Sequence, residues 1–220
     1  MSVDPSWKGF YKAGGFSLAA GGVLLFMFVL SKIITQQPLV LTPEAVLENP
    51  IPPTISFLIA IIGEVLLLFG FLGLYLSLKD VKKTHMLIAT GFGLAAVPMF
   101  LASRGQIISL LRLSDKYMVT SSTTLREAYL ASATLALALE NTYSTMAMVL
   151  LNVAVIIVGF TMLKGVFGKG IGYLAIVAGI ITIFAPPLAI MGAPIIIPLT
   201  GLVLSGIWNI VAGVKLYKLG

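Results

Sequence analysis

Long apolar runs separated by short polar turns dominate the chain, and the lengths of those runs carry the first inference. Six can be drawn, at about 10–34, 54–78, 85–111, 141–163, 170–190 and 195–216. Each is near or above the roughly 20 residues that a helix needs to cross a hydrocarbon core. The pattern predicts an all-α polytopic membrane bundle, one domain over residues 1–220 with six transmembrane helices. The first run follows Lys8 and Lys12 in the manner of a signal peptide, but it is too long. Leu30 is followed by SKIITQQP rather than by a small-x-small cleavage site, so the run is expected to stay as a helix.

The polar interruptions predict more than turns. Thr42-Pro43-Glu44-Ala45 places a cap, a proline at the first helical position and an acid in the first turn, which predicts a short outer helix over about 42–49. Thr124-Leu125-Arg126-Glu127 fits a capping box, with Thr124 as the cap and Glu127 three residues on. No Gly or Pro then interrupts the chain before Gly159. One helix over that stretch would be about 58 Å long, nearly twice the hydrocarbon thickness. An outer helical extension at about 125–140 is therefore expected, unless the helix tilts strongly or breaks near Asn141. Between the fifth and sixth runs, Pro186, Pro187, Pro194 and Pro198 punctuate an uncharged stretch. It reads as a frayed outer hairpin or as a re-entrant segment.

Composition removes whole classes. The chain is 59% hydrophobic and 10% charged, with mean hydropathy +1.07, whereas a soluble domain carries about 25% charged residues. With no cysteine, disulfides, thiolate metal sites and cysteine nucleophiles are excluded. No Gly-rich phosphate loop, zinc spacing or basic stripe with interleaved aromatics occurs. Hence no cofactor and no nucleic-acid partner is expected. The lipid bilayer is the expected partner, with a homo-oligomer or a membrane-complex partner left open. The net charge of +6 sits in short loops. Lys8, Lys12, Lys79, Lys82, Lys83, Lys164, Lys169, Lys215 and Lys218 all fall on one side, while residues 35–53 carry Glu44 and Glu48 and no Lys or Arg. The positive-inside rule then predicts a multi-pass protein of the cell membrane with both termini cytoplasmic. The loop at 114–123, flanked by Arg112, Lys116 and Arg126, is the ambiguous one.

Two stretches have a distinctive layout. In GEVLLLFGFLGLYLSLKDVKKTHMLIATGFGLAAVPMFLASRGQIISLL the second run ends Leu-Tyr-x-x-Leu-Lys, a basic turn follows, and the third run carries Val97-Pro98. FTMLKGVFGKGIGYLAIVAGI places Lys-Gly-x-Phe-Gly-Lys before a Gly-rich fifth run. Together they resemble the prokaryotic membrane family catalogued as domain of unknown function 4386, across nearly the whole chain. The resemblance implies a six-helix fold. It implies no activity and carries over no catalytic residue.

Chemistry centres on Glu64, in the run IIGEVLLLFG. Ten residues into the second run, it lies about 15 Å deep. A charged carboxylate there costs about 2.5–3.5 kcal/mol. It is expected to be either a neutral acid gluing two helices together or a group that binds a proton or cation. In either case it should face the bundle, with Asn152 or water within hydrogen-bond reach. Asn152 is at matching depth in the fourth run, on a stripe shared by Glu127, Thr134, Asn141 and Thr145. Thr and Asn on such a stripe are also ordinary interhelical packing groups. Arg104 falls near the outer boundary, beyond a kink expected at Pro98. It reads either as a snorkelling interfacial arginine or as the partner of an anion or carboxylate near Gln106 and Glu140. Tyr75, three turns from Glu64 on the same face, and Asn209 extend the polar path inward. His85 is the lone histidine and Asp80 and Asp115 lie outside the bilayer on opposite sides, so no catalytic or metal site is expected.

Three function classes follow. A small-solute or proton-linked permease would use Glu64 and Asn152 at its centre. A non-catalytic accessory or scaffold subunit would use small-residue faces such as Gly14, Ser17 and Gly21 to pack on other membrane proteins. An intramembrane lipid-modifying enzyme has the least support. A wet cavity reaching Glu64 would favour the permease.

Overall fold

A computed structural model describes residues 5–34, 41–190, 194 and 196–220, without the side chains of Pro5, Lys32, Ile33, 186–190 and Pro198. Among these residues there is no strand. A 3-10 turn at Pro5–Trp7 leads into α1 (Lys8–Ile34), followed by α2 (Pro43–Glu48), α3 (Ile51–Leu78), α4 (Lys83–Val119), α5 (Thr123–Met162), α6 (Lys169–Ile190) and α7 (Ile196–Tyr217). Five of the helices are long and apolar enough to cross a membrane, and α6 adds a shorter apolar stretch over Lys169–Ala185. These are the features of a multi-pass helical membrane protein.

The six long helices form a ring. Each packs on the next in sequence, and α7 returns to α1, while contacts across the ring are sparse. Short connections at 79–82 and 120–122 make neighbouring helices antiparallel. Small residues close the ring. A Cβ on Gly213 of α7 would lie 2.6 Å from the Gly15 carbonyl of α1, and one on Gly22 would lie 2.8 Å from the Gly206 carbonyl. On its other side, Gly14 of α1 sits so close to α3 that a Cβ would meet Phe69 O at 2.9 Å and Gly73 Cα at 3.0 Å. Gly21 faces the Gly63 carbonyl of α3 and Ser17 is buried. The small-residue face of α1, read from sequence as an interface for another membrane protein, therefore packs inside the chain.

Two cores fill the ends of the ring. At the end carrying both termini, Tyr11, Phe71, Leu74, Leu78, Met86, Val158, Met162, Trp208 and Leu216 form a continuous plug. At the opposite end Val46 and Leu47 of α2 pack on Ile107, Leu110 and Tyr117 of α4, on Ala133 and Ala136 of α5, and on Phe57 of α3. Thr42 caps α2, its Oγ1 accepting the Ala45 N–H at 3.3 Å with Pro43 in the first turn. The Ser114 hydroxyl donates to the Leu47 carbonyl and ties α2 to α4.

The α4–α5 hairpin departs from the sequence expectation. Helix α4 does not stop near residue 111 but runs to Val119, because nothing after Gly105 breaks it. The loop expected at 114–123 shrinks to residues 120–122, and Asp115 and Lys116 belong to the helix. The cap of α5 is Ser122, whose Oγ accepts the Leu125 N–H at 3.4 Å, rather than Thr124. Helix α5 then runs through Asn141 without a break to Met162. At 1.5 Å per residue the two helices span about 56 and about 60 Å. Arg126 closes their tip over the Tyr117 ring, 4.5 Å from its centroid. Pro98 sits inside α4, on an exposed face. In the proline-rich junction, residues 186–190 have helical backbone in α6, while 191–193 and 195 lie outside the described residues, as does any re-entrant turn there.

Candidate functional site

Between the two cores the ring encloses a cavity of about 850 Å³, walled mainly by α1, α3, α5 and α7. Phe71, Val155 and Trp208 belong to both the cavity wall and the plug at the terminal end, so they form its floor. Leu41, Pro43 and Leu137 line it toward the α2 end. Most of the wall is Leu, Phe and other apolar side chains. Among the described residues its titratable groups are Glu64, Arg104 and Glu140.

These three form one ion cluster across three helices. The Arg104 guanidinium on α4 donates to Glu64 Oε1 on α3 from Nη2 at 2.7 Å and from Nε at 3.1 Å. Its Nη1 donates to Glu140 Oε1 on α5 at 2.9 Å. The Ser103 hydroxyl donates to the same Glu140 oxygen at 3.0 Å. Arg104 thereby clamps its two neighbouring helices to α4. Phe57 and Phe100 both lie against the guanidinium, their ring centroids 4.9 and 5.5 Å from its central carbon, contacts that favour a desolvated cation. Such a geometry suits Arg rather than Lys, because one planar fork serves two carboxylates.

Glu64 does face the bundle, but its partner is not Asn152. The Asn152 amide Nδ2 donates to the Met148 carbonyl of its own helix at 2.8 Å. Nor does Arg104 snorkel to an interface, since it is only 7% exposed. Depth along the helix axis misled the sequence reading. Counted from the terminal end, Glu64 is 14 residues up α3 and Arg104 is 21 residues up α4, about 21 and about 32 Å. Side chains lean toward the N-terminus of their own helix. In this antiparallel pair Arg104 leans down and Glu64 leans up, and their combined reach closes a gap of about 10 Å.

The remaining candidates divide. Asn141 and Asn152 line the cavity, as does Thr134. Thr145 is half-buried and off the cavity, its place on the wall taken by Ser144. Tyr75 packs against the terminal-end core rather than in the cavity. Asn209 lies on the wall and is 8% exposed. Sequence reasoning named Glu140 only as a neighbour of Arg104 and missed Ser103 and Trp208. The signal for Glu140 was available, as the only charged residue between Glu127 and Lys164.

Three polar atoms around this cavity are buried and have no hydrogen-bond partner among the described residues: Glu64 Oε2, Asn209 Oδ1 and Trp208 Nε1. Every hydrogen bond to the two carboxylates falls on Oε1. Leaving such groups dry costs about 1–3 kcal/mol each, more when charged. The arrangement can hold charge and offer hydrogen bonds to a guest. The described residues include no group of three or more His, Cys, Asp or Glu that could hold a metal ion. The chain matches no family model, no curated protein and no solved structure, so the geometry of this cavity carries the functional argument.

Proposed function

We propose that this chain is a six-span permease of the cell membrane, with cytoplasmic termini, that takes a small solute into the cavity at Glu64. The carrying observation is the cavity itself, closed by the plug at one end, walled by the α2 segment toward the other, and lined by buried polar atoms that lack partners. Pockets of about 300–1,000 Å³ with apolar walls and a few placed polar groups are the usual form of a small-molecule site. Nine lysines cluster at the ends of the helices around the termini, which supports a cytoplasmic location for that face. The cavity then faces the outside, α6 is the sixth span, and the tips of α4 and α5 stand beyond the membrane under α2. The scaffold reading loses one of its supports, because the small-residue face of α1 is buried against α3. The proposed kinship with the domain of unknown function 4386 family adds six helices to this reading and no activity.

The chain has no native cysteine, which makes access measurable. In an Asn209→Cys variant, a membrane-impermeant maleimide should label the cavity from the outer face of vesicles. It should also label from the cytoplasmic face, more slowly, as the plug opens. Labelling from the outer face alone would make this a binding protein and not a permease, and labelling from neither face would remove the cavity from function.

A further inference from the structure

We infer that the guest of this cavity is a lipophilic organic monocation; the inference rests on the permease reading of the site and names its substrate class. Charge carries it first. One guanidinium faces two carboxylates, and no other titratable side chain among the described residues lines the wall. With both carboxylates ionised, the cluster is left with one negative charge in excess of its single guanidinium. The same imbalance repels an organic anion.

Two of the three unpartnered atoms agree in sign. Glu64 Oε2 and Asn209 Oδ1 are both acceptors, and their residues are each 8% exposed. A cationic or hydrogen-bond-donating head group would satisfy them, whereas a carboxylate or phosphate would not. The third atom, Trp208 Nε1, is a donor, which a cationic head group leaves unpartnered. The wall decides the body of the ligand. Leu24, Leu67, Phe71 and Leu202 present hydrocarbon, which suits an apolar skeleton. The volume of about 850 Å³ accommodates a drug-sized molecule.

Tetraphenylphosphonium and tetraphenylborate have nearly the same shape and opposite charge, and triphenylphosphine oxide supplies a neutral relative. The chain has two tryptophans, so Trp7→Phe leaves Trp208 in the cavity floor as the only indole reporter. With this variant in zwitterionic nanodiscs, and after subtraction of partition into empty discs, tetraphenylphosphonium should change Trp208 emission saturably. Its half-saturation should be at least tenfold below that of either other probe. Glu140→Gln keeps an acceptor for Arg104 and Ser103 but neutralises the excess charge, so it should reduce the preference to within about threefold. Glu64→Gln provides the same test should the first variant fail to fold. Equal saturable binding of all three probes would overturn the cation assignment and leave the cavity as an apolar site. Preference for tetraphenylborate would overturn it outright. No saturable signal from any probe would overturn this inference, while the permease reading stands or falls on the Asn209→Cys labelling.

Discussion

Arg104→Met removes the one cation from a buried cluster of two carboxylates and is the sharpest test of how the middle of the bundle is held together. The side chains of Arg104, Glu64 and Glu140 are only 8%, 10% and 15% exposed. Removing one member of a buried pair costs about 3–5 kcal/mol, because the remaining charge has no countercharge. Here two carboxylates are stranded, and the guanidinium contacts with Phe57 and Phe100 add about 0.5–2 kcal/mol to the loss. Protonation of one acid would cap the total, so a loss of about 3–5 kcal/mol is expected. The triple variant Arg104→Met, Glu64→Gln, Glu140→Gln carries no buried charge. It should recover to within about 2 kcal/mol of the native chain, the remainder being the lost stacking. Arg104→Lys keeps the charge but not the fork, and should fall between the two. Reversible unfolding in mixed micelles, with sodium dodecyl sulfate as denaturant and helical circular dichroism as the signal, provides the free energies. A loss below about 1 kcal/mol for Arg104→Met, the range of an exposed pair, would refute the buried clamp. So would a triple variant no more stable than the single one.

Two further outcomes test the frame around this site. Cysteines at Glu48 and Lys83, both exposed, should label with an impermeant maleimide from opposite faces of the membrane, and labelling from the same face would overturn the proposed orientation. Gly213→Val should weaken the α1–α7 seam by about 1–3 kcal/mol, the cost of overpacking a close contact, because the new Cβ would lie 2.6 Å from the Gly15 carbonyl; unchanged stability in the same micelle titration would mean that the ring does not close there.

Helical class and membrane residence follow from the sequence by itself, because run length and hydropathy are properties of the chain and need no partner. Thr42 and Pro43 likewise mark α2 through local hydrogen bonding and a fixed φ. Glu64 stands out for the same kind of reason, as a costly group in hydrocarbon, and its inward orientation follows from the absence of any partner in lipid. Its actual partner did not follow. A count of rise per residue compares Cα heights and sees neither the opposite lean of side chains on antiparallel helices nor which neighbour occupies which side. Depth matching thus selected Asn152, which bonds within its own helix, over Arg104, which reaches down from about two turns higher. The end of α4 was misplaced for a related reason. Polar residues after Leu111 look like a loop when the hydrocarbon core sets the limit, yet helix continues wherever nothing breaks it and α2 can pack on it through Leu47. Ring closure belonged to the tertiary structure alone. Gly14, Gly15, Gly22 and Gly213 advertise close packing in the sequence, but only the pairing of α1 with α3 and α7 decides that those contacts are internal. That same closure creates the cavity, which brings Glu64, Glu140, Trp208 and Asn209 together from positions up to 145 residues apart.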